Sequence, residues 1–362
     1  MGEYLLEVQD LKTYFKARAG KVRAVDGVNF SIRPGERLGI VGESGCGKSV
    51  TALSIMRLIP QPPGIYAGGS ILFDDNDLLD MPESGLRKIR GSQIGMIFQD
   101  PMTCLNPTMT VGDQIAEGLR IHLKLKKDEA HQRAIALLEQ VGIPAAAERV
   151  DSYPHQFSGG MRQRVMIATA LACNPKLLIA DEPTTALDVT VQAQILDLMN
   201  AVCQDFKTAL ILITHDLGVV AGMTDRVVVM YAGKVMEEAT TEELFANPCH
   251  PYTLGLLASV PRLDEQRIHE LATIEGTPPD LLNPPSGCPF MPRCAFARKA
   301  CREMPPLAPV TGNSTHLKAC WVDVTDPKEQ AYAAKRKQMR QDAMKAALEQ
   351  SAADTLGVKE ST

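Results

Sequence analysis

The chain has 362 residues, 45% of them hydrophobic, a net charge of −5 and a pI near 5.9. That length admits one large domain with additions, or two domains, and the slightly acidic balance gives no support for a nucleic-acid surface. No apolar run reaches the ~18 residues of a membrane span, and the opening MGEYLLEVQD does not resemble a secretory signal, so the expectation is a soluble, cytoplasmic chain whose membrane spans, if it works at a membrane, belong to other chains.

Residues 4–33 alternate as antiparallel strands do, with a turn near Ala19-Gly20. Arg37 to Val41 reads as a short buried strand, and Lys48 to Leu58 as a helix with Ala52, Leu53, Ile55 and Met56 as its apolar positions. Between them, Gly42-Glu43-Ser44-Gly45-Cys46-Gly47-Lys48-Ser49 fits G-x-x-x-x-G-K-[ST], the phosphate-binding loop. Its glycines let successive N–H groups turn inward, and the start of a helix favours an anion. In such a loop Lys48 reaches the β- and γ-phosphates of a nucleotide and the Ser49 hydroxyl binds Mg²⁺. Cys46 occupies a free position. It reads as a small filler, with a thiol made reactive by the helix start as the sharper alternative.

Ile71-Leu72-Phe73 and Gly95-Met96-Ile97-Phe98 look like further strands, and Val111 to Val150 turns helical, marked by Ile115, Leu119, Leu137, Leu138 and Val141. Leu177 to Ala180 and Leu210 to Ile213 are continuous apolar runs, suited to parallel strands covered on both faces. Val227 to Met230 reads as the last core strand. This order argues for an α/β sheet with an inserted helical subdomain. Beyond about Thr240, prolines gather with four of the nine cysteines, Cys288, Cys294, Cys301 and Cys320. In a reducing cytosol such a group more often means metal than disulfides. A charged, Ala-rich tail follows Asp326, read as a solvated helix or disordered end.

A second element, Phe157-Ser158-Gly159-Gly160-Met161, precedes Asp181-Glu182. With these motifs in this order the chain resembles the ABC-type ATPases over roughly residues 4–325. Phe157 to Met161 is similar to the LSGGQ signature, with Phe for Leu and Met for Gln, and Leu177 to Glu182 resembles the Walker B strand followed by the catalytic glutamate. Gln99 corresponds to the Q-loop, Ala186-Leu187-Asp188 to the D-loop and His215 to the switch histidine, and Phe15, with Tyr14 as alternative, stands where the family stacks an aromatic ring on adenine. The resemblance implies a RecA-like parallel sheet with an antiparallel β subdomain. It assigns ATP to Phe15, Gly42, Ser44, Gly45, Cys46, Gly47, Lys48 and Ser49, with Ser158, Gly159, Gly160 and Asp188 contributed across an interface. Mg²⁺ falls to Ser49, Gln99 and Asp181, and catalysis to Glu182, His215 and Gln99. Each residue alone has a plainer reading: a capping or ion-paired acid, a structural histidine, a turn glutamine. In the family, ATP on one domain's phosphate loop is covered by another's signature, and with one copy of each here the second domain must come from another chain.

Met96 to Thr103 with Leu105-Asn106-Pro107, Tyr153-Pro154-His155-Gln156 and His250-Pro251-Tyr252-Thr253 narrow the resemblance to the oligopeptide/dipeptide importers, and Gly287-Cys288-Pro289-Phe290 with Pro292-Arg293-Cys294 to their D-type ATPase. This implies residues 1–240 as the nucleotide-binding domain (helical subdomain about 100–160), 241–325 as a Cys/Pro-rich C-terminal extension and 326–362 as the tail. It also implies a homologous F-type ATPase subunit, two integral membrane permease subunits, an extracytoplasmic peptide-binding protein, no nucleic acid, and a peripheral position on the cytoplasmic face of the membrane. Related ATPases carry a [4Fe-4S] cluster at cysteines matching Cys288, Cys294, Cys301 and Cys320. The C-x5-C-x6-C-x18-C spacing itself leaves zinc and free thiols open. Peptides are the implied cargo; glutathione, nickel chelates and peptide antibiotics are alternatives. Rival readings are a nucleic-acid or ribosome ATPase, which usually carries two ATPase domains or a long coiled coil, an exporter, and a redox-responsive binding module.

Overall fold

The computed structural model describes residues 3–185, 187–260 and 274–339. Two antiparallel strands open it, β1 (Leu6–Ala17) and β2 (Gly20–Ile32). β3 (Arg37–Val41) leads into the phosphate loop and α1 (Lys48–Ile55). α1 is shorter than its apolar pattern predicts. Arg57 turns to a positive φ of 49°, and prolines at 60, 62 and 63 deny the next turn its N–H donors. β4 (Gly64–Phe73) returns to pair with β1, and β5 (Asn76–Asp77) closes a four-stranded antiparallel sheet in the order β2-β1-β4-β5.

α2 (Glu83–Ile89) and β6 (Ile94–Ile97) precede a helical run: α3 (Pro101–Cys104), α4 (Val111–His122), α5 (Lys127–Gln140), α6 (Ala146–Arg149) and α7 (Gly159–Leu171). Thr110 caps α4 by accepting the Asp113 N–H. Ile115, Leu119, Leu137, Leu138 and Val141 are all buried in one cluster with α7, as their spacing requires. There follow β7 (Leu177–Asp181), α8 (Val189–Phe206), β8 (Ala209–Thr214), α9 (Leu217–Met223), β9 (Arg226–Tyr231), β10 (Lys234–Thr240), α10 (Thr241–Ala246), α11 (Pro251–Ala258), β11 (Ala308–Val310) and β12 (Asn313–Lys318).

The second sheet has the order β11-β12-β10-β9-β3-β8-β7-β6. β9, β3, β8, β7 and β6 are mutually parallel; β10 and β12 are added antiparallel. The apolar runs are explained by their two faces. Leu178, Ala180, Leu210 and Leu212 face the helical cluster, while Leu177, Ile179, Ala209, Ile211 and Ile213 face the cluster shared with α1, β1 and β2. Each full burial of a Leu or Ile side chain contributes about 2 kcal/mol.

β9 is not the last strand of this sheet, contrary to the sequence-based expectation. The sequence of β10 hides its role because Glu237 and Glu238 look like solvent-facing charges, yet they are 0% and 8% exposed. Arg226 binds both Glu238 and Glu36. The Glu237 carboxylate accepts the N–H of Cys249 and of His250 (3.0 Å) and lies 2.7 Å from His316 Nε2 on β12. Glu237, Cys249 and His316 thus form a compact buried group, whose carboxylate is occupied in fastening the start of α11 and β12 to β10. A third cluster fills the space beyond: Tyr231, Tyr252 and Phe290 meet with ring centroids 4.7–5.3 Å apart, beside Cys288, Cys294 and Cys301. The first part of the charged tail is a helix at 327–339 that buries Ala333, pairs Glu329 with Arg298 and donates from Arg336 to the Ala297 carbonyl. The remainder of the tail lies outside the described residues.

Replacing Glu237 with alanine strands two buried amides and the His316 ring, at a cost of about 3 kcal/mol. The expected result is a lower unfolding midpoint in urea, with proteolysis entering residues 241–325 first; an unchanged midpoint refutes the fastening role.

Candidate functional site

The parallel strands end at one edge, and their last residues carry the motifs. At the end of β3 the loop Gly42–Ser49 packs so tightly that only glycine fits at two points. A Cβ on Gly42 (φ 151°) would sit 2.2 Å from the Met230 carbonyl, and one on Gly47 (φ 106°) 2.4 Å from the Ala24 carbonyl. Gly45, also at positive φ, faces open space, and Ser44 is exposed. Lys48 is buried and donates to the carbonyls of Gly42 (2.7 Å) and Glu43 (3.1 Å). Its ammonium is thus held over the concave side of the loop by acceptors that a phosphate would replace.

At the end of β7, Asp181 accepts a hydrogen bond from the Ser49 hydroxyl at 2.9 Å. Burial pushes its carboxyl up, partly offset by that bond. A hydroxyl and a carboxylate side by side are hard oxygen donors of the kind Mg²⁺ takes. Glu182 follows at φ 48°, its N–H on the Ile213 carbonyl. This turn aims its carboxylate at the residues beyond the strand ends. Oε2 accepts from Gln99 Nε2 and from the Thr185 hydroxyl, both at 3.0 Å, and Oε1 lies 3.4 Å from His215 Nδ1. Gln99 follows β6, Glu182 follows β7 and His215 follows β8, so three strand ends converge on one carboxylate, which itself has 16% exposure.

Ser158 caps α7, its hydroxyl oxygen accepting the Met161 N–H at 3.4 Å. Ser158 and Gly159 are exposed, and a Cβ on Gly160 would meet Val191 at 2.8 Å. Asp188, also exposed, caps α8 through Val191 N–H; Ala186 lies outside the described residues. Phe15 is half-buried on β1, whereas the Tyr14 hydroxyl is committed to Asp26 at 2.6 Å, leaving Phe15 as the freer ring.

Cys46 departs from the reactive-thiol alternative. It is 4% exposed, and burial pushes its thiol up despite the nearby Lys48. Two groups escaped the sequence reading. Thr185 shares the Glu182 carboxylate, and Gln163 on α7 donates at 2.6 Å to the Pro183 carbonyl from a buried position. Both lie within the motif-bearing segments, but neither residue type signals a role without its partner.

The four C-terminal cysteines form no disulfide and line one cavity with Phe290, Met291, Phe296 and Trp321. Burial first, then the neighbouring thiols, pushes Cys288 up to about 11 and Cys294 up to about 12. Backbone N–H groups of Arg298 and Val322 point at the sulfurs of Cys301 and Cys320, each at 3.4 Å. Among the described residues, three potential ligand atoms lie within 4.8 Å of one another at Glu237, Cys249 and His316 and not at these four sulfurs. Four thiols with backbone N–H groups directed at two of their sulfurs are, by their donor chemistry, a set that a soft metal centre takes.

Comparison with known proteins agrees with this arrangement. Residues 25–185 match the "ABC transporter" family model and residues 236–301 match "Oligopeptide/dipeptide transporter, C-terminal region". The chain is 57% identical over 319 residues to the oligopeptide transport ATP-binding protein OppD of Bacillus subtilis, covering 88% of each. It is 53% identical to OppD of Salmonella typhimurium, covering 89% of this chain and 95% of that one. Among solved structures, the ATP-binding cassette MJ0796, in a dimeric post-hydrolysis state bound to ADP and Pi, aligns with a TM-score of 0.59 at 28% identity, covering 65% of this chain and 98% of that one. The chain belongs to the ATP-binding proteins of ABC transporters, in the oligopeptide/dipeptide branch. It is an ATPase coupled to transport.

With the Cys46 thiol buried and its pKa raised, iodoacetamide at neutral pH is expected to label exposed Cys104 and leave Cys46 unmodified, with or without ATP. Peptide mass spectrometry reads this directly, and rapid ATP-sensitive labelling of Cys46 would contradict it.

Proposed function

We propose that this chain powers uptake of oligopeptides or dipeptides by closing and reopening an ATPase pair, each nucleotide being held by one chain's phosphate loop and covered by the other's Ser158 to Gly160. The observation that carries the reading is the convergence of Gln99, Thr185 and His215 on Glu182, the residue next to Asp181 of the Ser49–Asp181 pair. Lys48 and the loop N–H groups bind the β- and γ-phosphates. Ser49 and Asp181, with Gln99, would hold Mg²⁺, whose charge would offset that of the phosphates. Glu182 orients a water and withdraws its proton as the water oxygen bonds to the γ-phosphorus and the bond to the β-phosphate oxygen breaks, giving ADP and phosphate. His215, exposed and in reach of Glu182, bonds the γ-phosphate. Phe15 stacks on the adenine.

The exposed start of α7 offers the Ser158 hydroxyl and the N–H groups of a helix terminus, donors suited to a phosphate that arrives on another surface. Asp188 lies on the same exposed side, at the cap of α8. We read α3–α6 as the inserted helical subdomain and residues 241–325 as the branch-specific extension. Among the described residues no helix is long and apolar enough to cross a membrane, in keeping with a peripheral position on the cytoplasmic face. The assembly would include two integral membrane permease subunits, an extracytoplasmic peptide-binding protein and a homologous ATPase subunit of the F type. Cys288, Cys294, Cys301 and Cys320 would hold a [4Fe-4S] cluster. It would cross-link a proline-rich segment that has little regular structure of its own.

Glu182→Gln keeps the hydrogen bonds of the carboxylate but not its basicity. Turnover in the assembled transporter is expected to fall by at least about 100-fold, with ATP still bound and the ATPase pair trapped closed in size-exclusion chromatography. Near-normal hydrolysis would remove Glu182 from its role. For the cluster, anaerobically purified protein is expected to absorb in the visible and contain iron, and Cys294→Ser to lose both; colourless, iron-free, folded protein would exclude it.

A further inference from the structure

The second position of the phosphate loop is free for the loop's own chemistry, because backbone N–H groups do the binding. Here it carries Glu43, and every polar group of that residue is engaged. Its carboxylate receives both terminal nitrogens of Arg293, at 2.6 and 2.9 Å. Its N–H donates to the Tyr252 hydroxyl at 2.8 Å, and its carbonyl accepts from Lys48 at 3.1 Å. Arg293 and Tyr252 both belong to the region after residue 240, and Arg293 immediately precedes Cys294. The Arg293 side chain is 5% exposed and is itself braced. It donates to the Tyr231 hydroxyl (3.2 Å) and to the carbonyls of Ile274 (2.9 Å) and Glu275 (3.0 Å), against the Tyr231–Tyr252–Phe290 ring group.

From this we infer that the C-terminal extension is a working part of the nucleotide site: Arg293 and Tyr252 are positioning residues that hold the phosphate loop in its anion-binding shape and thereby set the affinity for ATP. Two effects combine. A loop with three glycines at positive φ has much conformational freedom to lose on binding, and a rigid brace removes that cost beforehand. Glu43 also brings a negative charge into a site for a triphosphate, and the paired guanidinium cancels it. A bidentate Arg–carboxylate pair is both stronger and more directional than a single contact. The inference rests on the loop being the ATP site, as proposed above, but not on any cluster at the cysteines.

The test is equilibrium binding of ATP to the purified full-length chain, with steady-state ATP hydrolysis by the assembled transporter. Lys48→Ala serves as the control on the site itself. Glu43→Gln and Tyr252→Phe are expected to raise the ATP Kd and KM about five- to tenfold, with kcat at saturating ATP and the melting temperature little changed. Arg293→Met, which leaves Glu43 unpaired, is expected to raise Kd by about 30-fold or more, and the double variant Glu43→Gln/Arg293→Met to recover toward the Glu43→Gln value. A purely structural contact would instead lower the melting temperature and kcat and show no recovery in the double variant. Kd values within twofold of wild type for both Glu43→Gln and Tyr252→Phe overturn the inference, as does multiplication of the two effects in the double variant. Should Arg293→Met fail to fold, Glu43→Gln and Tyr252→Phe decide by the same thresholds. If Lys48→Ala binds ATP as wild type does, the site assignment falls and this inference with it. If Lys48→Ala abolishes binding while Glu43→Gln and Tyr252→Phe leave it unchanged, only the brace falls.

Discussion

Parallel pairing of β9, β3, β8, β7 and β6 is the constraint on which the rest of this structure depends. Parallel strands finish at the same edge, so whatever follows each of them is delivered to one place. Here β3 delivers the phosphate loop, β6 delivers Gln99, β7 delivers Asp181 and Glu182, and β8 delivers His215. Separations of more than a hundred residues in the chain become hydrogen-bond distances because four ladders are in register. The apolar alternation of β7 and β8 fixes that register from both faces, since a slip of one residue would exchange the two core layers.

The polar groups at the strand ends are paired with one another. Lys48 is held by loop carbonyls, Ser49 by Asp181, and the Glu182 carboxylate by Gln99 and Thr185. Each of these bonds can be traded for one to a phosphate, a metal ion or a water without leaving a buried group unpaired. The signature end of α7 is different: Ser158 and Gly159 face outward with a helix terminus behind them. A site paired on one side and open on the other has the form that the proposed sharing of ATP between two chains requires.

The region after residue 240 is fused to this site rather than appended to it. β12 pairs with β10 in the same sheet, Glu237 fastens three segments, and Arg293 and Tyr252 grip the phosphate loop itself. Proline-rich segments bury little backbone in regular structure, and here side chains supply the attachment. Buried aromatic rings contribute the apolar area and the Glu43–Arg293 pair contributes direction.

The sequence by itself determined the class of protein. The glycine loop, the Ser-Gly-Gly element, the Asp-Glu pair and the apolar strand runs are local patterns whose chemistry and spacing are readable in order, and they marked Gln99 and His215 as members of the same set. Helix positions with 3.6-residue spacing, from Ile115 to Val141, were legible for the same reason. Only the tertiary structure decided how α1 ends, that Cys46 is buried, that Thr185 shares the Glu182 carboxylate and Gln163 holds the Pro183 carbonyl, and that charged β10 lies inside the sheet. Glu237 and Glu238 read as surface because a carboxylate's burial depends on partners far away in the chain. Glu43 and Arg293, 250 residues apart, carry no mark of their pairing in one dimension. Local propensity is written residue by residue, whereas the partner that makes a buried charge tolerable is chosen only when the chain has folded.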